Sequence, residues 1–538
     1  MSVDLEIKKE LDKIHSASMK ILATSGIKLH SPEAMALFAE RGVKVNGLTV
    51  YPSEEFIMET IASAPKSFTV YSRKERPPVV KKVESAGSDE AKKPEDGEKP
   101  AQDQKDPAQS LEAENQAQLL EPCPEMDMIF DGQRSYYAPA YGCPAITEKN
   151  GLVRPSTLDD YIKIAQLIHV CPHFMVNGGI LVQPTDIDPD NSAIIMLYTS
   201  LLASDKCLML IPTKGETFIE LLYLVGITCG GEKEFAKYPR SLTLISTLSP
   251  LGLSEEAFDS LSLAALSGQA LIISPGPMAG ATGPITLAGN LAMANAECLA
   301  TIAISQMVKK GTPVLYGVTA TVSDLRIGQV SVGNPGFSAM TRYSKLLASY
   351  YGLPARGGGA VTDAQEVSSQ SGLESMINLK TALDCQVDLI LHSAGVLSSW
   401  ATFSYEKFMS DLESISILEY ARKPLAVNEE TLALETIEEV GPGGVFLNQK
   451  HTLSRARNYP FYPRVAPLGQ IKNRPYGERI LANAEKEMDK LHSTYLRPEM
   501  EKKIRTEMKI LVNNQRIDPE LTDQILRKIY ETNKKEDD

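Results

Sequence analysis

Gly352-Leu353-Pro354-Ala355-Arg356-Gly357-Gly358-Gly359-Ala360-Val361-Thr362-Asp363-Ala364-Gln365 is the stretch on which the fold turns. Three consecutive glycines rule out a stable helix, and there are too few β-branched residues for a whole strand. The stretch reads as the frayed carboxyl end of a strand, where the backbone turns tightly and a ligand can approach closely. Arg356 precedes the glycines, and Asp363 and Gln365 follow them. Thr362 or Asp363 is the expected N-cap of a helix running through Leu373, Met376, Ile377, Leu379 and Leu383. A cation, a carboxylate and open backbone at one strand-to-helix junction point to a small polar or charged ligand. The competing reading is a tight turn whose glycines serve packing alone.

On either side the same rhythm recurs. Apolar or β-rich runs occupy Tyr136–Ile146, Phe174–Val182, Cys207–Ile211, Leu242–Ser246, Ala270–Ser274, Pro313–Val318, Leu353–Gly357 and Val387–Ser393. Helical periodicity follows each, over 157–169, 191–203, 216–229, 254–267, 285–309, 336–351, 366–384 and 406–422. No two-residue hairpin turn joins these runs, so parallel strands with helical crossovers are expected. Eight such units fit an α/β fold of the (β/α)8 TIM-barrel type, occupying 123–464. A dinucleotide-binding sheet would want Gly-x-Gly-x-x-Gly after its first strand, and the motif is missing there. In a barrel the site forms from the loops at the strands' carboxyl ends.

Residues 1–75 form a small N-terminal α+β extension: helices near 4–24, 32–42 and 53–61, with strand-like Val43–Val50 and Ser67–Tyr71. From 76 to 122 Lys, Glu, Asp, Pro, Gln and Ala dominate, and 76–120 has no aromatic residue; such a segment cannot offset the entropy of ordering and is expected to be a disordered insertion. From Val465 to Asp538 the chain turns to charged amphipathic helices, expected to pack outside the barrel or on another subunit of a homo-oligomer.

The 538-residue chain carries a net charge of −13. An acidic chain with no basic patch to neutralise phosphates argues against nucleic acid as partner. No apolar run approaches the roughly 20 residues of a membrane span, and the charged amino terminus shows no signal peptide, so a cytoplasmic location is expected. Seven scattered cysteines without a Cys-x-x-Cys pair suit a reducing compartment and offer no zinc site.

Familiar catalytic signatures are absent: no Gly-x-Ser-x-Gly, no Walker lysine, no His-Glu-x-x-His. His169 and His173 are four apart, but Pro172 breaks the helix that would align them, so no metal is expected. His392 closes the last run and is expected to point into the site, with Arg356 in the equivalent place one strand earlier. Two such donors would clamp a carboxylate. Tyr136, Tyr137, Tyr141, Phe174, Tyr316, Trp400, Phe403 and Tyr405 lie in or just after the same loops. Packing explains any one of them; several together could cage a quaternary ammonium by cation–π attraction.

Specific motifs run through the chain. They are Ile14-His15-x4-Lys20-Ile21-Leu22-x3-Gly26-Ile27-x2-His30-Ser31-Pro32-Glu33-Ala34, Ala64-Pro65-Lys66-Ser67-Phe68, Ser249-Pro250-Leu251 and Pro277-Met278-Ala279-Gly280-Ala281-Thr282-Gly283-Pro284-Ile285-Thr286-Leu287-Ala288-Gly289. Tyr350-Tyr351-Gly352-Leu353-Pro354, Thr362-Asp363, His392-x2-Gly395 and Ser404-Tyr405-Glu406-Lys407-Phe408 complete the set. In these the chain resembles the trimethylamine methyltransferase family, whose members are (β/α)8 barrels that pass a methyl group to a cobalamin-carrying partner. The resemblance implies a small quaternary amine as substrate and a corrinoid carried by a separate protein, with none bound covalently. No Asp-x-His-x-x-Gly, the histidine motif of corrinoid-carrying domains, occurs in this chain. The family's methanogen trimethylamine enzymes carry pyrrolysine in or near the opening stretch. Residues 351–379 contain neither it nor a lysine, so the chain resembles the non-pyrrolysine branch, which includes glycine betaine methyltransferases.

A quaternary amine is already activated, because its departing group is a neutral tertiary amine, so positioning in a desolvated pocket supplies much of the rest. No catalytic acid or base is assigned. Substrate binding is expected from Arg356, His392, Tyr137, Tyr141, Phe174, Tyr316, Trp400 and Phe403, around a site loop of Gly357, Gly358, Gly359, Asp363 and Gln365. Proline betaine, carnitine, γ-butyrobetaine or trimethylamine are alternative substrates, and a betaine-binding barrel without transfer activity is the alternative of another class.

Overall fold

The computed structural model describes residues 5–73, 122–469 and 475–531. The expected insertion at 76–122 lies, but for its last residue, outside the described residues. The fold is mixed α/β. Eight parallel strands are its centre: β1 (Tyr136–Tyr137), β2 (Val176–Gly178), β3 (Cys207–Leu210), β4 (Ser241–Ile245), β5 (Ala270–Ile273), β6 (Val314–Tyr316), β7 (Arg356–Gly358) and β8 (Leu389–Leu391). They alternate with helices α1 (Leu158–Val170), α2 (Ser192–Ala203), α3 (Gly215–Ile227), α4 (Glu255–Leu266), α5 (Leu287–Val308), α6 (Pro335–Tyr350), α7 (Ser369–Asp384) and α8 (Tyr405–Arg422).

Strands β2 to β6 form one sheet in chain order, and β7, β8 and β1 form another. Parallel bridges Tyr316↔Ala355 and Tyr137↔Phe174 join the two sheets at both ends. Alternate strand residues fall into separate clusters, as a period of two requires. Tyr136, Val176, Met209, Leu244, Ile272, Leu315 and Leu391 belong to one, with Val70, Met128 and Phe130 from the antiparallel pair Phe68–Val70 and Met128–Phe130. Tyr137, Leu208, Leu271, Ile273, Tyr316 and Ile390 belong to the other, among the helices.

Several local expectations are corrected. Val43–Val50 is a hairpin of Lys44–Asn46 and Thr49–Tyr51, because Gly47 takes a left-handed φ of 59° between them. The run from Tyr136 holds a strand only at its start; Ala145–Thr147 belongs to a separate hairpin with Val153–Pro155. Strand β7 starts later and ends one residue beyond the expected Leu353–Gly357, since Gly357 and Gly358 pair with Ile390 and Leu391. Helix α7 begins at Ser369, capped by Ser368 and not by Thr362 or Asp363. Those two are engaged elsewhere: the Thr362 hydroxyl donates to Glu374, and the Asp363 carboxylate accepts from the Val332 amide at 2.7 Å.

The N-terminal unit docks on α5, where Ser18 Oγ donates to the Ala292 carbonyl at 2.8 Å and Asn295 Nδ2 donates to Ser18 Oγ at 2.9 Å. The C-terminal helices Tyr476–His492, Lys502–Asn514 and Pro519–Glu531 pack on the outer helices: the first on α8 and α1, the second on α2 and α3, the third on α2. Helix α5 is long and apolar enough to cross a membrane, yet 94% of its apolar window is buried inside the chain.

That helix carries one charged residue deep in its packed face. The Glu297 carboxylate accepts from Thr247 Oγ1, from Ser249 Oγ at 2.8 Å and from the Leu251 amide at 2.8 Å, tying down the loop after β4. Glu297→Ala leaves three donors without their acceptor and is expected to lower unfolding stability by about 2–3 kcal/mol. Urea denaturation checks this; a loss below about 0.5 kcal/mol would place the loop's support elsewhere.

Candidate functional site

The loops after β7 and β8 form one unit. Gly359 lets the two strand ends close, since a Cβ there would sit 2.8 Å from Ser393 Cα and 2.9 Å from the Leu391 and His392 carbonyl oxygens. Further along, the Ser398 amide donates to the Ala364 carbonyl at 2.9 Å and the Ser399 amide to Thr362 at 3.0 Å. His392, Ser398, Ser399 and Trp400 all have φ between 52° and 74°. Four non-glycine residues in the left-handed region are strained, and such strain persists only where surrounding bonds fix it.

Arg356 enters this unit from β7 with 3% exposure. Its Nη1 donates to Thr319 Oγ1, after β6, and lies 3.4 Å from Ser274 Oγ, at the end of β5. Nε is buried without a partner, and no carboxylate among the described residues pairs with this guanidinium. Burial pulls its pKa down to about 10, which still leaves it charged at neutral pH.

His392, 6% exposed, accepts at Nδ1 from the Tyr141 amide at 3.3 Å. Burial, and then the Arg356 charge, hold its pKa well below the usual histidine range. The ring is therefore neutral, with its proton on Nε2. Its centroid lies 5.7 Å from that of Trp400, whose indole Nε1 is a second buried donor without a partner. Phe337 stands edge-on to Trp400 at 6.1 Å and fills the space beside Gly358. Tyr141 packs over Gly179, where an added Cβ would come within 2.7 Å of the ring.

Of the expected site residues, Arg356, His392, Tyr141 and Trp400 come together. Tyr137, Phe174, Tyr316 and Phe403 do not, because they occupy the layer between strands and helices. Tyr316 hydroxyl donates to Asn295 on α5 at 2.8 Å, Phe174 stacks on Phe408 of α8, and Tyr137 meets His173 edge-on. Nearness to a loop suggests each of them in the sequence; the two-residue period of β1 and β6 turns Tyr137 and Tyr316 to the helix side, Phe174 precedes β2, and Phe403 lies in the antiparallel pair Val396–Leu397 and Thr402–Phe403. Asp363 is a tie: it accepts from Ser331 Oγ, the Val332 amide and Ser399 Oγ. Gln365 is exposed. Gly357 faces Thr341 and Val387, so it admits side chains rather than a ligand.

Sequence reading missed Phe337, Ser274 and Thr319. The Asn334-Pro335 cap at the start of α6 gave a signal for the first; nothing local distinguished the two hydroxyls. Two cavities of about 600 Å3 lie elsewhere, one between α8 and residues 458–465, the other beneath β7 beside Lys345 and Asp388. Neither gathers unpaired donors as the Arg356 cluster does. No group of His, Cys, Asp or Glu among the described residues could hold a metal ion.

The family model described as Trimethylamine methyltransferase (MTTB) matches residues 2–85 and 109–518. The glycine betaine methyltransferase of Desulfitobacterium hafniense (strain Y51) is 34% identical over 457 residues, 85% of each chain. The L-carnitine:corrinoid methyltransferase of Eubacterium limosum is 26% identical, covering 82% of each chain. Among solved structures, the Methanosarcina barkeri monomethylamine methyltransferase (MtmB) covers 91% of this chain and 88% of its own, at 11% identity and a TM-score of 0.48.

A neutral buried His392 has a consequence for stability. The unfolded chain binds a proton near the ordinary histidine pKa of about 6.5 that the folded site refuses. Its contribution is complete above that pH and is lost as pH falls, by up to about 1.4 kcal/mol per unit. Urea midpoints at pH 7.5, 6 and 5 should show wild type losing ground to His392→Gln as pH drops. A pH-independent difference would mean that His392 takes up its proton equally in the folded and unfolded chain, so that burial does not hold the ring neutral.

Proposed function

The chain belongs to the trimethylamine methyltransferase family and is a methyltransferase, and on that premise we propose that it moves a methyl group from glycine betaine or a close relative to the Co(I) of a corrinoid carried by a separate protein. The observation that carries this is the buried Arg356 guanidinium, charged and without a carboxylate partner among the described residues. Beside it lie two further donors, Trp400 Nε1 and the Nε2 proton of neutral His392. A ligand carboxylate would satisfy all three.

The rings of Trp400, backed by Phe337, and of Tyr141 would then face the ammonium end by cation–π attraction. Transfer breaks the N–CH3 bond and forms a C–Co bond. The nitrogen keeps the electron pair and leaves as a neutral tertiary amine, while cobalt is oxidised from I to III. The protein holds donor and acceptor in line and keeps water out. No proton needs to move, which agrees with a histidine held neutral.

We also propose that the two sheets are a closed (β/α)8 barrel. Support comes from the bridges Tyr316↔Ala355 and Tyr137↔Phe174, and from the separate cluster of alternate strand residues inside the ring they would complete. Arg356 and His392 would then stand at the carboxyl-end mouth, where the corrinoid must approach. A cytoplasmic setting is supported by seven free cysteines.

Trimethylamine as donor is disfavoured. It brings no carboxylate for Arg356, and residues 351–379 offer no lysine to activate a tertiary amine. The protein, incubated with cob(I)alamin and either amine, should form methylcobalamin and dimethylglycine from glycine betaine and none from trimethylamine. Mass spectrometry of the products decides, and methylation from trimethylamine alone would sink the proposal. Arg356→Ala should weaken glycine betaine binding by about 2–5 kcal/mol. Tetramethylammonium should bind it no worse than wild type; equal losses by calorimetry would move Arg356 out of the site.

A further inference from the structure

We propose that Lys407 and Asp411, an ion pair on α8, are positioning residues that hold the loop following the Arg356 strand and the loop bearing His392 and Trp400 in register. Their side chains are 2% and 3% exposed and neither reaches the site. Lys407 Nζ donates to Asp411 Oδ1, to Ser375 Oγ on α7 at 2.9 Å and, at 3.5 Å, to the Ala360 carbonyl directly after the glycine triad. Asp411 Oδ2 accepts from the Gly395 amide at 2.8 Å, three residues after His392. One charge thus grips each loop, and the ion pair joins the grips.

Helix packing alone would not call for charges here. Burial pushes the Asp411 carboxyl up to about 6 and lowers the Lys407 ammonium, each opposed by its partner. Apolar residues of similar volume are commonly as stable as a buried pair, so stability is a weak reason for one. What apolar residues cannot do is bind a carbonyl in one loop and an amide in another. Gly395 also has little slack: its φ is 90°, and a Cβ there would lie 2.3 Å from the Phe403 ring. The consequence for substrate rests on the betaine assignment: the pair sets the distance between the carboxylate donors and the Trp400 ring.

The test uses Lys407→Met with Asp411→Asn in one chain, which removes both charges, keeps an acceptor for Gly395 and fills the space. Trp400 is the sole tryptophan of the chain, so its emission and acrylamide quenching report the loop directly. The variant should melt close to wild type while Trp400 emission shifts and quenching rises. The KM for glycine betaine with cob(I)alamin should rise about tenfold, equivalent to 1.4 kcal/mol, with tetramethylammonium affinity little changed. Unchanged Trp400 fluorescence and KM in a folded variant overturns the proposal. Should the double variant not fold, Ser375→Ala removes only one Lys407 partner, and it must move both readouts in the same direction or the proposal falls. Fluorescence needs no substrate, so a wild type inactive on every betaine would refute the methyl-transfer assignment while leaving the positioning role to be judged by Trp400.

Discussion

A guanidinium taken out of water without a counter-charge is the constraint on which this part of the molecule depends. Burying an ion costs several kcal/mol after relaxation, and two hydroxyls at one end of Arg356 relieve only part of it. The surroundings keep the charge where it is. Gly357 and Gly358 admit Thr341, Val387 and Phe337 against the strand, and Gly359 lets the next strand end close over it. Four left-handed residues around His392 and Trp400 are each strained by roughly 1–2 kcal/mol, held by backbone bonds to 362 and 364 and by the Asp363 carboxylate. A site prepared in this way loses little further freedom when a ligand arrives.

The elements were legible in the sequence and their faces were not. Helical periodicity located α1 to α8 closely, because a 3.6-residue repeat sustained over twelve or more positions is hard to mistake. Core strands of two to five residues are too short to show their own alternation. Tyr136 and Tyr137 are adjacent tyrosines, one in each apolar cluster, and only strand pairing tells them apart. The same limit misplaced Tyr316. Asp363 misled for another reason: its type suits a helix cap, but partners 31 and 36 residues away claim its carboxylate. The Lys407–Asp411 pair has ordinary i,i+4 spacing, the pattern of a solvated helix face, and only burial marks it.

Fewer rings than expected come together, and this sharpens what the ligand must be. With Tyr137, Phe174, Tyr316, Phe403 and also Phe337 packed in the helix-side cluster, Trp400 and Tyr141 remain, an incomplete cage. Cation–π attraction from two half-buried rings amounts to about 0.5–2 kcal/mol each. A fixed guanidinium nearby offsets much of that gain. Two like charges about 6 Å apart repel by roughly 3 kcal/mol at an effective dielectric of 20.

A zwitterion removes the conflict. In the proposed site its carboxylate would sit between the two positive centres, pair with Arg356, and turn the guanidinium from a repulsive neighbour into the strongest contact. The same charge would then weaken the binding of simple methylated cations that bring no carboxylate. Protonating His392 would add a second positive charge beside the ammonium, and a ring held neutral by burial avoids that. On the proposed assignment Arg356 would select for betaines twice, by attracting the carboxylate they carry and by repelling the amines that lack one.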